Sequence, residues 1–352
     1  MRIVIVSGGT GGHIYPGLAV AQEIKRRDKN SIIYFIGSHE GMEKDLVERE
    51  GFPIQLIYSR ALLRKLSYKA ISAPFVCLVG FFQAFSVLRR VKPKYLVATG
   101  GYASLPVILA ARCKRIPVIL LEQNAFPGAV NRLCRAFAQE AFLTFKESGK
   151  YIKGEVVGNP VRRQIIEADR ESARRKLNLD DQQKLILIMG GSQGSKRMNE
   201  AVVNALDQLP PGNKIFHIVG VRDFAWVSQK LAGKELINYQ SLAYVHNIAD
   251  YLAAADLVIS RAGATAIAEF LVLGLPMILV PFPYAAGDHQ RLNAKSIAEA
   301  GAAIVVEDSD FTPDKFLSII SDFPSNYGRM KESAKKIAKP DAAERIVDFI
   351  YA

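Results

Sequence analysis

From residue 51 to residue 121 the chain has no acidic residue, while the same stretch carries eleven basic ones. They are Arg60, Arg64, Lys65, Lys69, Arg89, Arg90, Lys92, Lys94, Arg112, Lys114 and Arg115. Nothing local offsets this charge, so the region attracts polyanions. Nucleic acid is not the expected partner, because the stretch lacks helix-turn-helix, zinc-finger and RNP signatures. Cysteine is also scarce. Cys77, Cys113 and Cys134 show no CxxC spacing, which argues against a structural zinc or disulfide framework and suits a reducing compartment. Residues 2–7 read directly as a β-strand, so no secretory leader is expected. A cytosolic protein is expected.

What is present fits two α/β domains. The 352 residues exceed an ordinary single core. The net charge of +12 is unevenly spread: residues 1–160 carry 23 Lys/Arg against 11 Asp/Glu, and residues 161–352 carry 23 of each. Strand-like apolar runs occupy 2–7, 32–37, 54–58, 94–100 and 117–122, then 184–190, 214–220, 256–260, 276–280 and 302–306. Continuous apolar strands separated by helical patterns indicate parallel sheets covered on both faces. The pattern occurs twice, so the expected fold is two Rossmann-like, doubly wound domains facing a cleft. The boundary is expected after Asn159. A terminal helix lies within 338–352, and the second domain spans 160–337.

Three strand-to-helix junctions are rich in glycine: Gly8-Gly9-Thr10-Gly11-Gly12, Gly100-Gly101-Tyr102 and Gly190-Gly191-Ser192-Gln193-Gly194. Such turns let backbone amides at a helix N-terminus approach an anion. Diphosphates are common occupants of these sheet edges, although any one turn could be purely structural. The dinucleotide fingerprint fails because Ile14 stands in its last place, and the P-loop fails at Ser195. Hydride transfer and nucleoside-triphosphate hydrolysis are therefore unsupported.

Residues 70–88 form an uncharged run of 19. Its length would allow a membrane span. Pro74, Gly80 and Gln83 interrupt it, both flanks are basic, and it occupies a crossover-helix slot. A core helix remains an alternative. The favoured expectation is a helix resting on an anionic bilayer through Phe75, Phe81, Phe82 and Phe85, with Lys69, Arg89 and Arg90 at its edge.

Seven segments in register carry a resemblance: GGTGGHIYPGLAVA (8–21), ATGGYASLPVILAA (98–111), LEQNAFPGAVNR (121–132), GNPVR (158–162), GGSQGS (190–195), SRAGATAIAEF (260–270) and PYAAGDHQRLNA (283–294). Together they resemble the MurG family of peptidoglycan glycosyltransferases. The resemblance implies a GT-B architecture with the closing helix returning to the first domain. It implies transfer of N-acetylglucosamine from UDP-GlcNAc to undecaprenyl-diphospho-N-acetylmuramoyl-pentapeptide at the cytoplasmic face of the plasma membrane. The first domain would hold the lipid acceptor, with Gly11, Gly12, Gly100, Gly101 and Tyr102 at its diphosphate. The donor positions would be Thr10, Gly11, Gly12, Asn124, Arg162, Gly191, Ser192, Gln193, Val245, Ala264, Thr265, Ala266, Ile267, Ala268, Glu269 and Gln290. Glu269 would accept the ribose hydroxyls, Gln290 would read the sugar, and Val245 would lie against uracil.

His13 follows the first glycine turn. Imidazole has a reference pKa near 6.5, which suits removal of a proton from the acceptor hydroxyl. Orienting the acceptor diphosphate, or capping the helix, are its alternatives. Asp308-Ser309-Asp310 spells DxD, but turn and cap chemistry before Thr312-Pro313 accounts for it. No catalytic metal or other cofactor is expected. Rival activities are glycosylation of diacylglycerol, epimerisation of UDP-GlcNAc and UDP-sugar sensing without turnover.

Overall fold

The computed structural model describes residues 1–60, 68–180, 183–191, 194–234 and 236–352, with backbone alone at 68–71 and 323–326. Ser192 and Gln193 lie outside the described residues, as does the Lys69 side chain. The chain divides into two compact units, Met1–Arg162 with Lys339–Ala352, and Arg163–Ala338.

The first unit contains seven strands: β1 (Arg2–Val6), β2 (Ile32–Ser38), β3 (Ile54–Ile57), β4 (Tyr95–Ala98), β5 (Val118–Glu122), β6 (Glu140–Leu143) and β7 (Glu155–Val156). All pairings are parallel. Their order is β3-β2-β1-β4-β5-β6-β7, so the direction of winding reverses between β1 and β4. Alternate residues of β1 enter opposite cores. Ile3 and Ile5 pack with Leu18 and Ile24, while Val4 and Val6 pack with Val87 and Leu88. This is why β1 reads as an unbroken apolar run. The first of these cores also receives Ile346, Val347 and Ile350 from the terminal helix Ala342–Tyr351. The border lies after Arg162 rather than Asn159. Arg162 is buried, with its guanidinium 3.9 Å from the Tyr15 ring centroid, and this stacking keeps it in the first unit.

The apolar run becomes the helix Tyr68–Val91. It is long and apolar enough to cross a membrane by length and composition. It nevertheless packs on the sheet. A methyl group on Gly80 would lie 2.1 Å from the Tyr58 carbonyl oxygen, so only glycine allows this approach. Gln83 Oε1 accepts the Tyr58 N–H at 2.8 Å. Two of the three interruptions in the run, Gly80 and Gln83, therefore fasten the helix beside the end of β3. The four phenylalanines do not share a face. Phe75 and Phe82 are 71% and 62% exposed, together with Leu78 and Val79. Phe81 and Phe85 instead pack against the core, and Lys114 Nζ lies 4.3 Å from the Phe85 ring centroid. The expected exposed set is corrected accordingly: residues 81 and 85 occupy the helix face turned toward the sheet.

The second unit has six strands: β8 (Lys184–Met189), β9 (Asn213–Ile218), β10 (Tyr239–Leu242), β11 (Leu257–Ser260), β12 (Met277–Leu279) and β13 (Ala303–Val305). These too are parallel, in the order β10-β9-β8-β11-β12-β13. The winding reverses between β8 and β11. Strands β6, β7 and β10 were not anticipated. β6 has only the three apolar residues Ala141, Phe142 and Leu143, and β7 and β10 lack a continuous apolar run.

Candidate active site

In the first unit the turns after β1 and β4 lie directly on each other. Gly101 has φ +79°, and a methyl there would sit 2.7 Å from the Gly8 carbonyl oxygen. Gly8 faces Ala103 just as closely. No larger residue fits this contact without displacing backbone. Each turn opens a helix, Gly11–Arg27 after β1 and Ser104–Cys113 after β4. Thr10 is the extended residue before the first of these helices. The buried carboxylate of Glu43 holds the β1 turn from below, accepting the Gly9 N–H at 2.7 Å and the Ser38 N–H at 3.2 Å. Tyr102 covers Gly9. Burial pushes its phenol up from the ordinary value, opposed by a hydrogen bond with Ser38.

His13 is half-buried in the first turn of its helix. Its Nδ1 lies 2.8 Å from the Thr99 carbonyl oxygen and 3.0 Å from Gln123 Oε1. Both are acceptors, so Nδ1 carries the proton of the neutral ring. Nε2 then keeps its lone pair and can accept a proton. A methyl on Gly100 would lie 3.3 Å from both His13 Cε1 and Asn131 Nδ2, which brings those side chains to one point.

The segment after β5 is organised by Glu122, which is buried. Its oxygens accept the N–H groups of Asn124 at 2.9 Å and Gly128 at 3.0 Å, and Asn131 Nδ2 at 2.8 Å. This places Asn124 at the carboxyl edge beside the His13 cluster. Arg162 reaches the same region through Tyr15, whose ring meets Gly11. Thr10, Gly11, Gly12, His13, Gly100, Gly101, Tyr102 and Asn124 thus gather at the carboxyl ends of β1, β4 and β5. That edge is where doubly wound sheets bind ligands.

In the second unit the turn after β8 leads into the helix Lys196–Ala205. Gly194 has φ +77°, and a methyl there would lie 2.2 Å from the Val219 carbonyl oxygen. Gly191 is exposed at this turn. After β11, the helix Ala264–Val272 carries Thr265, Ala266, Ile267, Ala268 and Glu269. The Ile267 and Ala268 side chains face the interior, and Glu269 is buried in the second turn. Two helix N-termini thus meet at the β8/β11 reversal, an arrangement suited to a diphosphate.

A buried arginine joins these two turns. Arg261 donates to Ser195 Oγ at 2.6 Å and to the carbonyls of Val280 and Pro281 at 3.1 Å each. It also pairs with Asp308 at 2.7 Å. Burial pulls its guanidinium down from the ordinary value, and Asp308 opposes that shift. Asp308 therefore does more than turn chemistry: it neutralises the cation at the centre of the unit. Thr312 does cap the following helix, accepting the Lys315 N–H at 3.2 Å. Among the described residues no group of three or more His, Cys, Asp or Glu could hold a metal ion.

Gln290 Oε1 accepts the Phe282 N–H at 3.0 Å, which leaves its amide nitrogen to donate elsewhere. Val245 is half-buried in the segment after β10. Behind the β8 turn runs a buried chain of hydrogen bonds. Tyr239 OH meets His217 Nδ1 at 2.9 Å, His217 Nε2 meets Asn199 Oδ1 at 3.0 Å, and Asn199 Nδ2 meets Val219 O and Asp223 Oδ2 at 2.9 Å each. Burial pushes the His217 pKa down to about 3.

Gln123, Glu122, Asn131, Arg261 and Asn199 were not singled out from the sequence. All but Asn199 stand within segments already quoted. The usable signal was position: Glu122, Gln123 and Arg261 fall at or just beyond strand carboxyl ends.

Residues 3–143 match the glycosyltransferase family 28 N-terminal domain, and residues 185–346 match the C-terminal domain. The chain is 40% identical to the UDP-N-acetylglucosamine--N-acetylmuramyl-(pentapeptide) pyrophosphoryl-undecaprenol N-acetylglucosamine transferase of Halothermothrix orenii, over 99% of this chain and 98% of that protein. It is also 40% identical to the protein of the same name from Caldicellulosiruptor saccharolyticus, covering 98% and 96%. The crystal structure of Acinetobacter baumannii MurG superposes with a TM-score of 0.76 at 31% identity, covering 99% of each chain. A UDP-GlcNAc 2-epimerase from Neisseria meningitidis has TM-score 0.68 at 16% identity over the whole of both chains, and shares the fold. The chain belongs to glycosyltransferase family 28, within the MurG family of N-acetylglucosamine transferases.

Proposed function

We propose that the chain moves N-acetylglucosamine from UDP-GlcNAc to the C4 hydroxyl of undecaprenyl-diphospho-MurNAc-pentapeptide, inverting the anomeric centre. The observation that carries this is His13: both acceptors lie at Nδ1, so Nε2 is the nitrogen left to take a proton.

Nε2 accepts the hydroxyl proton as the acceptor oxygen attacks the anomeric carbon. The bond from that carbon to the UDP oxygen breaks from the opposite face, and UDP leaves with its electron pair. Charge grows on the departing diphosphate. The amide groups after β8 and at the start of the helix Ala264–Val272 are the donors proposed to stabilise it. The acceptor's own diphosphate is assigned to the turns after β1 and β4. Glu269 is assigned to the ribose and Gln290 to the sugar hydroxyls.

Transfer is proposed to need no metal. The Asp308 carboxylate is committed to Arg261, which supports this. We further propose peripheral attachment to the cytoplasmic face of the plasma membrane. Its support is the exposed apolar strip Phe75, Leu78, Val79 and Phe82, with Arg89 and Arg90 exposed at the end of the same helix.

The test incubates purified protein, in chelator, with labelled UDP-GlcNAc and a short-chain analogue of the lipid acceptor. A β-1,4-linked lipid disaccharide is expected. Transfer to diacylglycerol instead, conversion of UDP-GlcNAc to its epimer, or binding without product would each overturn the proposal.

A further inference from the structure

We infer that Gln123 is a positioning residue for this reaction, holding the proton of His13 on Nδ1 so that Nε2 remains the nitrogen that takes the acceptor's proton. The inference rests on the assignment of His13 as the base. Gln123 is 2% exposed and stands just beyond β5, while His13 follows β1 and Thr99 follows β4. The imidazole thus lies across the carboxyl ends of three adjacent strands, with acceptors supplied by two of them.

The orientation of the Gln123 amide is set by its surroundings. Its Nε2 donates to the Leu121 carbonyl at 3.2 Å, which turns Oε1 toward His13. The reversed amide would put an oxygen against that carbonyl and an NH2 group against the imidazole N–H. Both contacts would be lost. With the amide fixed, two carbonyl dipoles point at Nδ1.

Their effect grows during the reaction. Before transfer they face a neutral ring and select its tautomer. Once Nε2 has taken the hydroxyl proton, the same two oxygens face an imidazolium. An interaction stronger in the transition state than in the ground state raises kcat rather than substrate affinity. A neutral amide also differs from a carboxylate in one decisive way. A carboxylate here would stabilise the charged ring before substrate arrives and keep the base protonated to higher pH. Gln123 orients the imidazole without that penalty.

The test measures kcat against pH for wild type, Gln123→Glu, Gln123→Met and His13→Gln. It is combined with ¹⁵N NMR of the imidazole, the His13 signals being identified by their loss in His13→Gln. In wild type at pH 8 the proton is expected on Nδ1. Gln123→Glu should move the acid limb of the pH profile up by about one unit, so that kcat at pH 6 falls on the order of tenfold and recovers by pH 9. Gln123→Met should lower kcat about tenfold with the KM for UDP-GlcNAc unchanged within about twofold, and should mix the two tautomers. If His13→Gln keeps the acid limb, His13 is not the base and the role of Gln123 falls with it. If that limb disappears in His13→Gln, yet neither Gln123 variant moves the limb, kcat or the tautomer, the inference about Gln123 alone is wrong.

Discussion

The two sheets reverse their winding at equivalent points, β1/β4 and β8/β11, but they join the turns there by different means. In the first unit Gly8, Gly101 and Ala103 touch directly, and the groups above them are an imidazole, carbonyls and amides. In the second unit a buried cation, Arg261, bridges the turns and is neutralised by Asp308. One topological device is therefore closed by direct backbone fit, with the Glu43 carboxylate bracing one turn, in the first unit, and by a cation bridging both turns in the second. The difference suits the proposed roles. A base must lose and regain a proton, and a fixed full charge beside it would bias that equilibrium. A leaving diphosphate, by contrast, gains from positive charge nearby.

Arg261→Ala should have the largest effect. It strands Asp308 in a nearly dry site and should destabilise the second unit by about 3–5 kcal/mol. It should also raise the KM for UDP-GlcNAc more than tenfold. Denaturant melts and donor titration check this, and a silent substitution would remove the charge bridge from the comparison. Gly101→Ala tests the steric counterpart. Forcing a side chain at φ +79° against the Gly8 carbonyl should cost about 2–3 kcal/mol, localised to the first unit by hydrogen exchange. Unchanged protection there would mean the turns have slack.

The His217 chain sharpens the comparison through pH. Its folded pKa of about 3 lies below the unfolded value of about 6.5, so the unfolded state binds more protons between the two. Stability from the neutral ring is complete above pH 6.5 and is lost as pH falls toward 3. At pH 5 the loss should be about 2 kcal/mol in the second unit. His217→Gln should flatten that slope, and an unaltered slope would assign it to other groups. The smallest effect on stability is expected on the exposed strip. Phe75→Ser with Phe82→Ser should change stability by no more than about 0.5 kcal/mol. The same pair should sharply weaken flotation with anionic vesicles at low salt. Phe81→Ser should instead lower the melting temperature. Equal behaviour of all three would undo the assignment of faces.

Much of the frame was legible in the sequence because most strands are covered on both faces and therefore read as apolar runs. Of the strands that are harder to read, β6 is buried on both faces but has only three apolar residues, Ala141, Phe142 and Leu143, and the other two lack an apolar run. β7 pairs only two residues, Glu155 and Val156, and β10 contains Gln240 and Ser241. The glycine turns were legible because close backbone contact leaves few other residues possible. Their fastenings were not. Gln123 meets His13 across 110 positions, and Asp308 meets Arg261 only once the β13 end is in place. No local period encodes such pairs. The two faces of the helix Tyr68–Val91 could have been separated, since positions 81 and 85 repeat at one turn while 75, 78, 79 and 82 form another row.

The terminal helix Ala342–Tyr351 completes a core begun by β1, although the whole second unit intervenes in the chain. During synthesis the strands of the first unit are therefore made long before the helix that covers them. Until Ile346, Val347 and Ile350 arrive, the apolar side chains they pack with stay wet. Nascent chains stalled after residue 338 should accordingly recruit chaperones through the first unit, whose core is completed only by the last residues of the chain.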